Sequence, residues 1–314
     1  MSFKEIFIKT FAYTPSPKYN FDLKDSNINN NNNSEEELLN SKIFPSLDVN
    51  LDIIKEIYLL NKNGDINIRE FTLPIKSKNF KAFLIYIDGI INQDSVNDFI
   101  LQPLLLRNSI NMNPTQNNST AITQNISIKK VKKFDLQDFL VNSLIPQNRI
   151  VIADTFKKVI EQVNYGFCCL FVESLSTSLC IEVKQFKGRT VSEPKQESVI
   201  RGAQEAFVEN IRTNTALLRK IINNENLIIE ESNVGKITKT KIGICYLKNI
   251  ANNSLIKEVK HRINNISIDA ILSSGTLEQL IKDNMHSTYP EVIATERPDR
   301  VSNYLIDRKN CYFS

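Results

Sequence analysis

Arg201-Gly202, Gly235-Lys236 and the run Thr238-Lys239-Thr240-Lys241 gather residue types able to hold an anion. A glycine turn with an arginine beside a helix N-terminus is a sound anion site, but phosphate-cradling loops use more glycine than Arg201-Gly202 supplies. Gly235-Lys236 fails as a phosphate loop, because Glu230 stands where the first glycine is required. Lys239 and Lys241 alternate with threonine on entry to an apolar run, which predicts both on one strand face. A polar sheet edge accounts for that pattern ahead of ligand contact. Of the two histidines, His261 falls on a basic helix face and His286 in a polar loop, neither in a recognisable motif. No nucleophile elbow, metal-ligating spacing or dinucleotide fingerprint is present. The five cysteines include no CxxC, and Cys168, Cys169, Cys180 and Cys245 sit in apolar runs, where reduced core thiols are expected. Catalysis finds no foothold, and no cofactor or metal is expected.

The remaining composition points the same way. A net charge of +4 from 39 basic and 35 acidic side chains is too mild for a nucleic-acid footprint, and no basic stripe interleaved with aromatics occurs. The densest basic run, Lys129-Lys130-Val131-Lys132-Lys133, reads as a solvated face, with attraction to an anionic membrane surface as the sharper alternative. The longest apolar run, Phe83 to Ile91, is interrupted by Asp88 and Gly89, so the sequence predicts no transmembrane segment. The N-terminus lacks the apolar core of a secretory signal, which places the start of the chain in the cytosol.

At 314 residues the chain exceeds one ordinary hydrophobic core, and two domains are expected. Residues 1–46, with an asparagine tract from Asn29 to Asn33, bury too little apolar surface to order and are read as a low-complexity tail. Residues 47–146 form a first α/β subdomain and residues 147–314 a second. The first has a helix through Leu51, Ile54, Ile57 and Tyr58, then strands at Ile66 to Leu73 and Lys81 to Ile87 closed by Asp88-Gly89. A helix capped at Asp94-Ser95 and broken or kinked at Pro103, a strand from Ile126 to Val131 and a helix from Asp135 to Leu144 complete it. The second has a strand Arg149 to Ala153, a helix over Phe156, Val159, Ile160 and Val163 ending at Gly166, and a hairpin of Phe167 to Glu173 with Leu179 to Phe186. A long helix from Ala203 to Asn223, a strand Thr240 to Leu247 and helices from Ser254, Thr276 and Thr295 follow. The fold class is α/β (α+β): two small subdomains, each a short mixed sheet covered by helices.

Within the long helix, Phe207, Ile211, Leu218 and Ile222 make one apolar stripe, each side chain worth about 1.5–3 kcal/mol on burial. Glu205, Glu209, Arg212, Arg219 and Lys220 take the solvated side, where Glu209 can meet Arg212 for about 0.2–0.5 kcal/mol. In TERPDRV, Thr295 can cap a helix, Pro298 fits its first turn and Glu296 can pair with Arg300. Local structure accounts for these residues without a ligand.

Three blocks in this order carry a more specific signal: GRTVSEPKQESVIRGAQEAFVENIRTNTALLRKII from Gly188, TKTKIGICYLKNIAN from Thr238 and TERPDRV from Thr295. Together they resemble the GerA-type A subunits of bacterial spore germinant receptors. The matching positions include Gly188, Arg189, Glu193, Pro194, Glu197, Arg201, Gly202, Glu205, Phe207, Glu209, Arg212, Thr213, Asn214, Leu217, Lys239, Thr240 and Lys241. Thr295, Glu296, Arg297, Pro298 and Asp299 continue the match, and upstream IYIDGI and FILQPLL fit the family's first subdomain. The chain departs at Ala203-Gln204, where members often carry proline and a charged residue. The resemblance implies a soluble, two-subdomain, cytosol-facing region that in the family leads into membrane-spanning helices. It implies partners as well, namely a transporter-like B subunit, a lipoprotein C subunit and further copies of itself, at the inner membrane of spores. The expected function is coupling of nutrient sensing to subunit assembly and ion release, without catalysis. The alternatives are a two-lobed small-molecule (germinant)-binding module and a free cytosolic remnant of a truncated receptor gene.

Overall fold

The structure, a computed structural model, describes residues 32–75, 78–107, 135–185, 197, 202–282, 292–307 and 312–313. The described residues fall into two compact units. One comprises Asn30–Thr190 with Thr215–Asn226, and the other Val191–Asn214 with Leu227–Ser314.

The first unit begins with α1 (Asn32–Asn40) and α2 (Leu47–Tyr58), whose Leu47, Leu51, Ile54, Ile57 and Tyr58 are buried at the expected helical spacing. Residues before 47 are not all tail: Ile43 is 3% exposed and donates its N–H to Asp154 O at 3.0 Å. Strands β1 (Ile66–Ile75) and β2 (Lys78–Ile87) form an antiparallel hairpin pairing Ile66 with Ile87. After the Asp88-Gly89 turn, Asn92 caps α3 (Gln93–Val96) by accepting from Ser95 N–H, two residues ahead of the expected cap. The chain then runs on in wide turns, Asn97–Leu101 and Pro103–Arg107. Helical turns thus continue past Pro103, which lacks only a donor that such turns can leave unused. The strand expected at Ile126 to Val131 lies outside the described residues.

Next come α4 (Leu136–Phe139), capped by Asp135, then β3 (Ile150–Ala153), α5 (Phe156–Tyr165), β4 (Phe167–Val172) and β5 (Ser178–Glu182). The five strands make one sheet in the order β1-β2-β4-β5-β3. The boundary expected after residue 146 therefore has to be corrected, because β2 pairs with β4 across it (Ala82 with Val172, Ile85 with Cys169). Every residue of β4 is buried, as the central strand of a sheet with covered faces should be. Phe171 stacks on Phe83 with ring centroids 4.6 Å apart. Gly166 ends α5 with φ +102°, and a Cβ there would meet the Lys184 side chain at 3.1 Å.

α6 (Ile211–Ile221) begins in the second unit with Ile211–Asn214 and continues in the first from Thr215, and the second unit goes on with β6 (Leu227–Val234) and β7 (Thr240–Leu247). The elements α7 (Asn253–Asn264), α8 (Ser274–Ile281), α9 (Pro298–Ile306) and β8 (Tyr312–Phe313) follow. Its sheet runs β6-β7-β8. Pairing is antiparallel in both sheets, in place of the mixed pairing expected: β1-β2, β4-β5 and β6-β7 are consecutive strands, while β2-β4, β3-β5 and β7-β8 pair across intervening elements. α6 starts at Ile211 instead of Ala203, so Glu205, Phe207 and Glu209 lie ahead of the helix and Phe207 leaves the apolar stripe.

Two stretches of the chain, one starting at α2 and one at α6, follow one plan. Each runs helix, hairpin, short turn and asparagine-capped helix (α2-β1-β2-α3 and α6-β6-β7-α7), and later adds a helix leading into a strand that pairs with the hairpin's second strand. The residues around the turn align as Ile85-Tyr86-Ile87-Asp88-Gly89-Ile90-Ile91-Asn92 and Cys245-Tyr246-Leu247-Lys248-Asn249-Ile250-Ala251-Asn252. Both asparagines cap their helices through the side-chain oxygen.

Candidate functional site

The first and third blocks meet, in part, at the entrances of α6 and α9. Asn210 caps α6 by accepting from Arg212 N–H at 2.9 Å and Thr213 N–H at 3.2 Å. Asn214, 5% exposed, clamps the incoming chain: it accepts from Val208 N–H at 2.8 Å and donates to Val208 O at 2.7 Å. These bonds hold the residues ahead of Ile211 out of the helix, although their types favour helix. Arg212 reaches Glu231 on β6 at 2.7 Å, so the expected pair with Glu209 is replaced by a cross-element one. Phe207 donates its N–H to Glu296 O at 2.8 Å, which joins the first block to the third.

At the start of α9, Pro298 takes the first helical position and is buried. Thr295 donates to Glu197 Oε2 at 2.6 Å and accepts from Arg297 N–H at 3.2 Å, so it precedes the helix instead of capping it. Arg300 pairs with Glu197 and donates to Tyr304 Oη at 3.3 Å; the expected partner Glu296 gives way to Glu197. Arg297 and Asp299 form a two-pronged pair through Nε–Oδ1 (3.1 Å) and Nη2–Oδ2. The bonds from Arg297 hold the Asp299 carboxyl below the usual carboxylate range, while the same bonds raise the guanidinium of Arg297. An acid so depressed is a poor proton donor at neutral pH.

The second block goes elsewhere. β7 begins at Thr240, so Lys239 lies in the hairpin turn with φ +45° and shares no strand face with Lys241; both are exposed. Gly235 opens that turn at φ +91°, where a Cβ would sit 2.7 Å from Thr238 Oγ1. Gly202 has φ +146°, Glu205 is half-buried and Glu209 exposed. Gly188, Arg189, Glu193, Pro194 and Arg201 lie outside the described residues.

Arg219, assigned from periodicity to the solvated side of the helix, is 2% exposed and pairs with the fully buried Asp65 through Nε–Oδ2 (2.8 Å) and Nη2–Oδ1 (2.9 Å). It also donates to Asn63 Oδ1 at 3.1 Å and Asn224 O at 3.3 Å. Asn63 in turn donates to Tyr58 O, and Tyr58 donates to Asn164 Oδ1 at 3.0 Å. Burial pushes the Tyr58 hydroxyl well above its ordinary pKa. The one sequence hint at this network was Asn63-Gly64-Asp65, a turn with an acid placed just before a strand.

Among the described residues no group of three or more His, Cys, Asp or Glu could hold a metal ion, and no helix is long and apolar enough to cross a membrane. A surface recess of about 310 Å³ beside Asn92, Gln147, Arg149, Glu182 and Lys184 has its charges engaged. Arg149 lies 3.5 Å from Glu182, and the Lys184 ammonium sits 3.4 Å from the Tyr165 ring centroid. The arrangement as a whole fixes loops and helix entrances.

A model of the Bacillus/Clostridium GerA spore germination protein family matches residues 53–309. Spore germination protein B1 of Bacillus subtilis strain 168 is 32% identical over 266 residues, covering 85% of this chain and 50% of that protein. Spore germination protein A1 of the same organism is 40% identical over 155 residues, covering 49% of this chain and 32% of that protein. The chain spans about half the length of the curated relatives it matches over most of its own length. The crystal structure of the N-terminal domain of the A subunit of the Bacillus megaterium spore germinant receptor GerK3 is similar with TM-score 0.62 at 27% identity, covering 87% of this chain and 92% of that domain. With two small antiparallel sheets, helices around them and a family match over most of its length, the chain belongs to the Bacillus/Clostridium GerA spore germination protein family.

Proposed function

We propose that this chain is the cytosol-facing region of a germinant receptor A subunit at the spore inner membrane. It relays nutrient sensing to subunit assembly and ion release without turning over a substrate. Its partners are a transporter-like B subunit, a lipoprotein C subunit and further copies of itself. The observation that carries this reading is the likeness to the N-terminal domain of a receptor A subunit, which extends over 87% of this chain. The interlocked charges support it: Glu197, Arg297, Asp299 and Arg300 are held in pairs that shape a surface, and none is set up as an acid, base or nucleophile.

The test is a charge swap in a germinating strain. Glu197→Lys and Arg300→Glu should each impair nutrient-triggered germination while the chain stays folded, and the double swap should recover much of the response. Sedimentation of the purified chain with and without the two partner subunits supplies the physical counterpart. A chain that stays monomeric, binds neither subunit and tolerates both single swaps would sink the proposal. A nutrient that raised its melting temperature in proportion to occupancy would transfer the role to direct ligand binding.

A further inference from the structure

Ile237 and Leu272 are the most exposed large apolar side chains among the described residues, at 76% and 88%. They come from segments far apart in sequence that a dense set of bonds holds together. Lys236 N–H donates to Ile268 O at 3.0 Å, and Ile237 and Thr238 both donate to Asp269 O, at 2.8 and 3.3 Å. The Thr238 hydroxyl accepts from Ile271 N–H at 3.3 Å, and the Thr240 hydroxyl donates to Ile271 O at 2.8 Å. The hairpin tip between β6 and β7 is thus fixed against the 268–271 segment. Its polar groups are turned inward to these bonds, while its two apolar side chains are left in solvent.

Three exposed lysines, Lys236, Lys239 and Lys241, lie within four residues of Ile237 in the same hairpin, and Asp269 is the one acid in the stretches 233–241 and 265–276. Lys239 holds φ +45°, a conformation that glycine or asparagine adopts at lower cost. Backbone strain kept at an exposed lysine is the kind of outlier that points from structure toward function.

We propose that this tip docks on an anionic phospholipid surface. Ile237 and Leu272 enter the boundary between headgroups and acyl chains, and Lys236, Lys239 and Lys241 sit among the headgroup phosphates. Charge complementarity selects this occupant, since exposed apolar side chains on a hairpin tip that carries three exposed lysines match an apolar layer faced with anions. A second protein surface fits less well. Two side chains cover a small part of the roughly 800 Å² per partner that a stable interface needs. The inference is independent of the receptor role proposed above, because it rests on the second unit's own hairpin.

The chain contains no tryptophan, so Ile237→Trp provides a single fluorescent reporter at the tip. With vesicles of phosphatidylglycerol and phosphatidylcholine its emission should shift to the blue, and with phosphatidylcholine alone it should stay at the solvent position. In co-sedimentation with the same vesicles, neutralising each lysine to Gln should weaken binding roughly fivefold. Ile237→Ser with Leu272→Ser should weaken it on the order of tenfold or more. Replacing all three lysines by Arg keeps the charge and should keep the binding, which separates lost contact from lost fold. An unshifted emission, or binding that the Ser pair leaves intact, overturns the proposal. So does concentration-dependent self-association that the Ser pair abolishes, since that would give the face to a second copy of the chain.

Discussion

Each unit enters its first long helix through a buried asparagine, and the two sites match bond for bond. Asn50, four residues into α2 counting from Leu47, accepts from Phe44 N–H at 2.9 Å and donates to Phe44 O at 2.6 Å. Asn214, at the same place in α6, binds Val208 in the same two ways. The hairpins and capped helices that follow also correspond. The units part company at the helix leading into the third strand of the shared pattern. In α5 the inward positions are Phe156, Val159, Ile160 and Val163, all buried. α9 buries Pro298, Val301, Ser302 and Leu305 at the same spacing, and differs in the charges flanking that face, where Arg297, Asp299 and Arg300 are half-buried and paired. One plan therefore closes a core in both units, and the units differ in how deeply the charges flanking that core are held.

The sharpest way to break the comparison is at Arg219, which is buried where α2 has the exposed Lys55. Arg219→Met leaves Asp65 buried without its cation and should cost about 3–5 kcal/mol of stability, measured by urea unfolding. The double change with Asp65→Asn should recover a large part, because the uncompensated charge is gone. A single variant as stable as the parent would show that the pair contributes nothing.

The matched asparagines come next. Asn50→Ala and Asn214→Ala each remove two bonds from a buried side chain to part-buried backbone and should each cost about 1–3 kcal/mol. Thiol labelling shows where the loss falls. Cys168, Cys169 and Cys180 are buried in the first unit and Cys245 in the second, and burial pushes the Cys168 and Cys169 thiols upward. Asn50→Ala should speed labelling of the first three, and Asn214→Ala that of Cys245. Identical labelling patterns in both variants would mean that the units open together.

The smallest effect is expected at Asp299. Its pKa is lowered in the folded chain, so its contribution is present above the ordinary carboxylate value of about 3.9 and is lost as pH falls through the folded value. Asp299→Asn should flatten the acid limb of a stability–pH curve below about pH 4 and leave neutral stability nearly unchanged. At the start of α5 Lys158 donates to Asp154 at 2.7 Å and lowers the pKa of its carboxyl as well, but both side chains are exposed, so Asp154→Asn should flatten that limb less than Asp299→Asn does.

Much of this architecture was legible in the residues. The stripes of α2 and α5, the turn at Asp88-Gly89 that ends β2 and the glycine end of α5 follow from period, turn chemistry and capping alone. What escaped was set by distant partners. The segment before Ile211 has helix-forming residues, and only the clamp of Asn214 on Val208 and the bond from Phe207 to Glu296 keep it extended. Arg219 looks like any surface arginine until Asp65, from a turn 154 positions away, is placed beside it. The first unit seemed to end at Pro146 because the pairing that extends it, β2 with β4, is invisible to local pattern. The repeat of Tyr86, Ile90 and Asn92 at Tyr246, Ile250 and Asn252 was open to reading, and aligning the chain with itself would have found it.

The strand order β1-β2-β4-β5-β3 also sets a timetable for synthesis. β3 leaves the ribosome before either strand that links it to the hairpin, and its place beside β5 exists only about thirty residues later, roughly 2–6 s at translation speeds. During that interval Ile150, Val151 and Ile152 form a β-branched run without a partner. A newborn chain is then most open to chaperone capture or mispairing, and slower translation just after Ala153 should prolong that window.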